Sequence, residues 1–478
     1  MKSVSFLFGV CLLTSSVQLG AEDLNSAAID EVQTLAPLID EMSISLWDYS
    51  EIALRETQSA AFLSAKLEAE GFTLERGVAG MPTAFVATWG SGHPVIGVLA
   101  EFDALPGIGN EAVPERKPRA DGVTGGQGCG HNLFGAASIG GAMAIKRMME
   151  KHQIAGTVKL FGTPAEETLI GKVFMARDGV FDGLDAVLDW HPGLETKVSN
   201  DAGRAMNSFQ VEFFGQAAHG AADPWNGRSA LDAVELMNYG VNLMREHVKP
   251  TTRIHYVIPS GGDAPNIVPE YAKVWYYVRD INREEVQKYY GRILKIAEGA
   301  ALGTETTHKV TLITGVHEYL PNRPIQETFQ KNLEAIGPVD YVAADQEFAK
   351  ALQRFLKVEE KGYDSTIHPL KEGLEEPEGG STDVAEVSYL APTAGFSVTT
   401  AAAGIPWHSW ATTACHGTQA SRKGAILAAK VIAATGIDLL TNKDLLKQAM
   451  DSFKEATKDS PYQPPIPDDL KPPLPSGQ

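Results

Sequence analysis

Cys129 and His131 stand two residues apart in the glycine-rich stretch GGQGCGHNLFG, Gly125 to Gly135. A thiol beside an imidazole can be a nucleophile with its base, half of a disulfide, or a pair of metal ligands. Three further places carry hydrolytic chemistry: the adjacent Glu166 and Glu167 in GTPAEET, His191 in DWHPG, and His408 in GIPWHSW. A metal-dependent hydrolase needs N, O or S donors from separate segments, an open position for water, and a carboxylate to take its proton. Neighbouring glutamates at a strand exit diverge, so one can face metal and the other the water. Each residue alone also has a structural reading, as a hydrogen-bonded histidine at a strand end or a solvated acidic pair. Their joint placement decides for a site.

That placement follows from the elements that carry them. Val95 to Phe102 is an apolar run that reads as a buried strand with Asp103 at its exit. TVKLFGTPAEET repeats the design, with a strand to about Phe161 and the two glutamates just beyond, and DAVLDWHPG repeats it with His191. A helix starts at LFGAASIGGAMAIKRMMEKH, where the Cys-Gly-His turn ends. Strands alternating with helices predict an α/β domain with a mostly parallel sheet and helices on both faces. In such sheets ligands gather outside the carboxyl ends of the strands, where Asp103, Glu166, Glu167 and His191 all fall. Upstream, Asn25 to Gly71 has helical periodicity throughout, closed by Gly71.

After Ser208 the pattern changes to strand–helix–strand–strand–helix–strand, the split ferredoxin-like α+β order. The chain therefore divides into a discontinuous catalytic domain, 22–206 and 316–440, with a self-contained lid or dimerisation domain, 207–315, inserted between. The segment 441–478 reads as a Pro-rich tail that orders on contact or stays disordered. A length of 478 residues agrees with more than one core. Hydrophobic residues at 44% and charged residues at 21% describe a soluble globular protein. A net charge of -19 disfavours nucleic acid and anionic membrane as partners, since both need a basic face.

Residues 1–21 read as a cleaved export signal: Lys2, the apolar VSFLFGVCLL, then small and polar residues around Ala21. The apolar run, about ten residues, is half the ~20 needed to span a bilayer. With Cys11 in the signal, the exported protein keeps Cys129 and Cys415, so a disulfide between them is an open alternative.

From Leu46 to Thr435 the chain resembles the two-metal aminoacylase and carboxypeptidase class of metallopeptidases, in its amidohydrolase branch and most closely its aminobenzoyl-glutamate type. The resemblance rests on EFDALPGIG, GQGCGHNLFGAA, GTPAEET, DWHPG, GQAAHGAADPWNGRSALDA, GGDAPNIVPEYAKVWYYVR, STDVAEVSYLAPTAGF and GIPWHSWATTACHGTQASRKGAILAAKVIA, in that order. It implies two divalent ions, zinc or manganese, held by Cys129, His131, Glu167, His191 and His408. Glu166 would be the general base and acid, taking a proton from the attacking water and passing it to the leaving amine. Asp103 would orient a ligand. In the inserted domain, His219 would stabilise the oxyanion, and Asn266 and Arg279 would hold a substrate carboxylate or amide. No role falls to His416 or Asp383.

One position departs from the wider clan, where a histidine ligand stands two residues before Asp103; here it is Glu101, and the Cys-Gly-His pair supplies donors instead. Thiolate favours zinc, while carboxylates also suit manganese. Carboxylates nearby would raise a free thiol's pKa, whereas a divalent ion stabilises thiolate, so ligation leads over the disulfide and the nucleophile. The expected activity is hydrolysis of the amide bond of an N-acyl or N-aroyl amino acid, aminobenzoyl-glutamate-like. A dipeptidase or aminopeptidase on the same scaffold is the second reading; a cysteine amidase and a non-catalytic binding protein follow. A homodimer through the inserted domain is expected, with AKVWYYVRD as an edge strand able to pair with its twin.

Overall fold

A computed structural model describes residues 21–375 and 380–475. The expected export signal lies outside the described residues but for its last position. The helical stretch at the start is two helices, α1 (Ala21–Tyr49) and α2 (Thr57–Ala69). Two carboxylates break it. Glu51 accepts the N–H groups of Gln58 and Ser59 at the start of α2, and Glu56 accepts that of Leu54. Such local bonds offer the backbone an alternative to the helix, and Ser50 and Leu54 take φ of 40° and 59°. Gly71, at φ 96°, sits just past α2 as the sequence predicts.

The large sheet has strands β1 (Thr73–Arg76), β2 (Phe85–Ser91), β3 (Val95–Glu101), β4 (Gly156–Thr163), β5 (Ala186–Leu188) and β12 (Thr393–Ala394), in the order β1-β2-β4-β3-β5-β12. The four strands β4, β3, β5 and β12 run parallel; β1 and β2 add an antiparallel edge that the sequence reading did not resolve. Beside it, β6 (His191–Gly193) pairs in parallel with β13 (Phe396–Thr399), which also pairs with β7 (Lys197–Val198). Helix α3 (His131–His152) and helix α11 (Gln419–Thr441) pack on the sheet and on α1. Small residues permit that approach: a Cβ at Gly140 would meet Ile39 at 2.5 Å, and one at Gly141 would meet Ile432 at 2.7 Å. Helix α11 is long and apolar enough to cross a membrane, but it is buried in this core.

The inserted unit is a four-stranded antiparallel sheet, β11-β8-β10-β9, built from β8 (Ala205–Phe214), β9 (Arg253–Ser260), β10 (Tyr271–Asp280) and β11 (Thr307–Val316). Helices α5 (Ala230–Met244) and α6 (Arg283–Thr304) share its own apolar core with Val274, Tyr276 and Val278 of β10. This is the expected ferredoxin-like order. AKVWYYVRD, however, is β10, an interior strand between β8 and β9, so the edge-strand expectation is wrong. Alternation reports one covered face and cannot tell an edge from an interior strand; the edge strands here are β9 and β11.

Helix α4 (Gly171–Arg177) lies between β4 and β5, and after the inserted unit come α7 (Arg323–Ile336), α8 (Ala343–Leu356), α9 (Val384–Ser388) and α10 (Trp410–His416). The segment read as a tail opens instead with a 15-residue helix, α12 (Lys443–Thr457), whose first N–H groups Asn442 caps. Beyond α12 the Pro-rich chain is held by contacts: Ile466 is buried, Arg177 donates to the carbonyls of Pro467 and Leu470, and Tyr462 donates to Glu386.

Candidate metal centre

The carboxyl ends of β3, β4 and β5 and the start of α3 converge on one buried pocket of donors. Cys129 leads into α3 through Gly130, at φ 85°, where a Cβ would meet Pro192 and His416 within 3 Å. Only glycine lets the turn place Cys129 and His131 side by side. Glu166 and Glu167 lie in a single 3-10 turn after β4, flanked by Ala165 and Leu169, both at positive φ. His191 opens β6, and pairing of β6 with β13 brings in the chain that continues to His408. His408 itself has φ 52°, a strained conformation for a non-glycine residue of the kind that functional sites retain.

Cys129 Sγ lies 3.4 Å from His191 Nε2 and 3.3 Å from His408 Nε2. Glu167 Oε2 is 3.6 Å from the same His408 nitrogen. The donor atoms fall into three groups that could each hold an ion: Cys129, His131 and His191; Cys129, Glu167 and His408; Glu101, His131 and Glu166. The five ligands expected from sequence are thus brought together, with Cys129 common to two groups. His408 stands at the open side, its side chain 51% exposed, while Glu167 is 6% exposed.

The histidines are oriented for ligation. His191 Nδ1 donates to the Pro192 carbonyl at 2.6 Å, which leaves Nε2 with its lone pair toward the sulfur. His131 Nδ1 donates to Asp103 at 2.9 Å, and the other Asp103 oxygen accepts the Glu167 N–H at 3.0 Å. Asp103 therefore fixes two ligands at once, as a supporting carboxylate should. Buried atoms without a hydrogen-bond partner include His131 Nε2, Glu101 Oε2 and Glu167 Oε1. Buried polar atoms are rarely left so. A cation among these donors satisfies all three, so the residues present fit a metal centre.

The electrostatics say the same. Burial pushes the Cys129 thiol far up, and the Glu167 charge adds to it. Without a cation Cys129 is therefore neutral, not a nucleophilic thiolate, and both described cysteines are free, so no disulfide joins Cys129 to Cys415. Burial, helped by the charge of His131, pushes His191 down to about 4, keeping it neutral and ligand-ready. Burial disfavours a charged His131, yet Cys129, Glu101 and Asp103 raise its pKa well above the usual range. The carboxylates of Glu101 and Asp103 among these neighbours are negative charge that a cation would balance. Burial, with Glu101 and Asp383 beside it, raises Glu166 well above an ordinary carboxyl, and burial lifts Glu167 to about 7.

Sequence reasoning missed the buried charged groups behind the donors. Lys172 is completely buried and pairs with Glu101 at 2.7 Å and Asp383 at 2.5 Å. Its signal was a lone lysine inside the apolar run LIGKVFMA. Glu56, also buried, accepts the Ala165 N–H at 3.0 Å and so braces the turn that presents Glu166.

The inserted-domain candidates lie elsewhere. His219 is exposed, bridges to Ile267, and accepts the N–H groups of Ala221 and Ala222 on Nδ1. Asn266 is its neighbour, accepting the Gly220 N–H at 2.8 Å on its backbone carbonyl. Arg279 lies on the face of β10 that the helices leave open, directly opposite Arg253 of β9. Its guanidinium is 5.4 Å from the Tyr277 ring, and its buried Nε has no partner. The structure brings His219 and Asn266 to each other, and it joins none of the three to the five-donor cluster.

Comparison with known proteins places this geometry. Residues 203–305 match the peptidase dimerisation domain of the M20 group. A p-aminobenzoyl-glutamate hydrolase polypeptide of Escherichia coli (strain K12) is 36% identical over 457 residues, 90% of this chain and 95% of that protein. The Xaa-Arg dipeptidase of Mus musculus is 28% identical over 450 residues, 91% of this chain and 93% of that one. Two solved structures share the fold. An aminobenzoyl-glutamate utilization protein from Klebsiella pneumoniae superposes with a TM-score of 0.58 at 16% identity, covering 85% of this chain and 97% of that one. A dinuclear metal binding peptidase from Bacillus subtilis, of the M20 family, gives 0.57 at 17% identity, covering 86% and 99%.

Proposed function

The chain belongs to the M20 family of metal-dependent amidohydrolases and peptidases, and we propose that it is an exported hydrolase of N-acyl or N-aroyl amino acids of the p-aminobenzoyl-glutamate kind. The observation that carries the reading is Cys129 Sγ seated between His191 Nε2 and His408 Nε2, with Glu167 and His131 beside it. These five residues would hold two divalent ions, zinc or manganese. When bound, the ions polarise the scissile carbonyl and acidify the attacking water.

The chain's own groups do the rest. Glu166 Oε2 lies 3.9 Å from His131 Nε2, inside the ring of donors but outside the proposed ligand set. Its raised pKa suits a base that must take a proton from water and return it to the leaving nitrogen. Asp103 keeps His131 and Glu167 in place during both transfers. On the inserted sheet, burial and then the charge of Arg204 disfavour the Arg279 cation, whose buried Nε has no partner, a state that an anion would relieve. That supports Arg279, with Asn266, as the holder of a substrate carboxylate, and His219 as the group that meets the oxyanion. It also favours an acidic amino acid over the arginine of the dipeptidase reading.

Self-association through the inserted domain completes the reading. Its edge strand β9 exposes Val257 and Ile258, and α5 exposes Tyr239 and Leu243, apolar groups that a second copy would cover. Val257→Asp then gives monomers by sedimentation velocity. The substrate reading is tested by incubating the metal-loaded protein with p-aminobenzoyl-glutamate, benzoylated amino acids and Xaa-Arg dipeptides. Release of p-aminobenzoate at the highest kcat/KM supports it; cleavage of the dipeptides alone overturns it. Export is tested by the mass of the mature protein, which should lack about the first 21 residues.

A further inference from the structure

Behind the donors lies a buried ion network that the hydrolytic reading does not use. Lys172 stands at the start of α4, five residues after Glu167, with no exposed surface. Asp383, at the start of α9, grips it twice, accepting its backbone N–H at 2.8 Å and its ammonium at 2.5 Å. The ammonium's other partner is Glu101 Oε1, at 2.7 Å. The second Glu101 oxygen, Oε2, is buried, has no hydrogen-bond partner, and lies 3.2 Å from His131 Nε2, which has none either. Glu101 is thus pinned on one oxygen by Lys172, and its other oxygen faces His131 Nε2 across 3.2 Å, a contact between two donors that a cation would replace.

A fold does not need this arrangement. Burying an ammonium carries a desolvation cost even when it is paired, and well-packed apolar groups of the same volume often serve stability equally well. What apolar groups cannot do is hold a carboxylate in one rotamer with one oxygen presented. We propose that Lys172 is a positioning residue for one of the two ions, acting through Glu101, whose Oε2 joins His131 Nε2 as a donor on the floor of the centre. Asp383 holds Lys172 in turn. The carboxylate that stands where the wider clan has a histidine is then a ligand in its own right, made so by a lysine 71 positions downstream.

This inference rests on the two-metal reading and is tested by metal content rather than activity. The full chain is stripped with chelator, reloaded with manganese or zinc, desalted, and its metal per chain measured by plasma mass spectrometry, with circular dichroism and a melting curve as folding controls. Wild type should carry about two ions per chain, and Lys172→Met and Glu101→Gln about one each. The lost ion's affinity should fall about 10–100-fold, the usual effect of removing a ligand's support. The double variant should lose no more than either single one, because both changes break the same link. Lys172→Arg, which keeps the charge, should recover part of the loss. If Lys172→Met does not fold, Glu101→Gln decides alone, since its amide keeps the carboxylate's shape. Two ions at wild-type affinity in a folded Lys172→Met or Glu101→Gln protein would overturn the proposal while leaving the two-metal reading intact. A wild type that binds no ion removes both.

Discussion

The donor pocket at the sheet edge and the open face of the inserted sheet both carry histidine and charged groups, in opposite physical states. In the pocket, every proposed ligand but His408 is largely buried, and the other histidines and Glu167 are each held by a second contact: His131 and Glu167 by Asp103, His191 by a carbonyl. In the inserted unit, His219 and Asn266 are exposed and the Arg279 guanidinium lies over the Tyr277 ring with its Nε unpartnered. A pocket assembled by one chain's own strand ends is complete once that chain folds. A face of exposed groups acquires its geometry only when something closes on it. Changes in the first should therefore alter metal content or turnover, and changes in the second should leave metal content alone, altering substrate affinity at Arg279 and Asn266 and turnover at His219.

The largest separation is expected at Glu166. Glu166→Gln should lower kcat by about 10²–10⁴-fold, the usual share of a general base, with metal content unchanged. Asp103→Asn loosens two ligands without removing one and should cost about 10–100-fold in metal affinity, read by competition with a fluorescent chelator. Arg279→Ala sharpens the contrast from the other side. Loss of one charged hydrogen bond, about 1.5–3 kcal/mol, should raise KM roughly tenfold or more while kcat and metal content hold. If Arg279→Ala instead stripped metal, the two regions would not be separable.

The smallest expected effect concerns Glu56, which braces the Glu166 turn. Burial, with the charge of Asp103 added, lifts its pKa from 4.5 to about 8. The folded state then holds this proton more tightly than the unfolded chain does. Its contribution to stability is full below pH 4.5 and is lost as pH rises through about 8. Glu56→Gln should flatten that decline in melting temperature between these limits, with kcat nearly unchanged at neutral pH.

The contrast also explains what could be read from sequence. Asp103, Glu166, Glu167 and His191 each follow a short apolar strand, and parallel strands deliver their carboxyl ends to one edge, so local pattern sufficed to gather them. The ferredoxin-like order was legible for the same reason, from alternation and helical period. Pairing was not: β10 alternates like an edge strand yet lies inside its sheet, because alternation reports burial and not neighbours. Glu51 and Glu56 interrupt a periodic helix through bonds that no hydrophobic pattern encodes. The Lys172 network joins segments 211 residues apart through Asp383, and only the packed structure brings them together. A charged residue within an apolar run was the one mark it left.

Anomalous X-ray scattering from crystals of the metal-loaded protein, recorded on both sides of the metal's absorption edge, tests the central claim most directly. The account predicts two peaks in the pocket, both within bonding reach of Cys129 Sγ or its immediate neighbours His131, Glu167, His191 and His408. Active protein whose crystals show no metal peak there, with Cys129 free to react with a thiol alkylator, would contradict it.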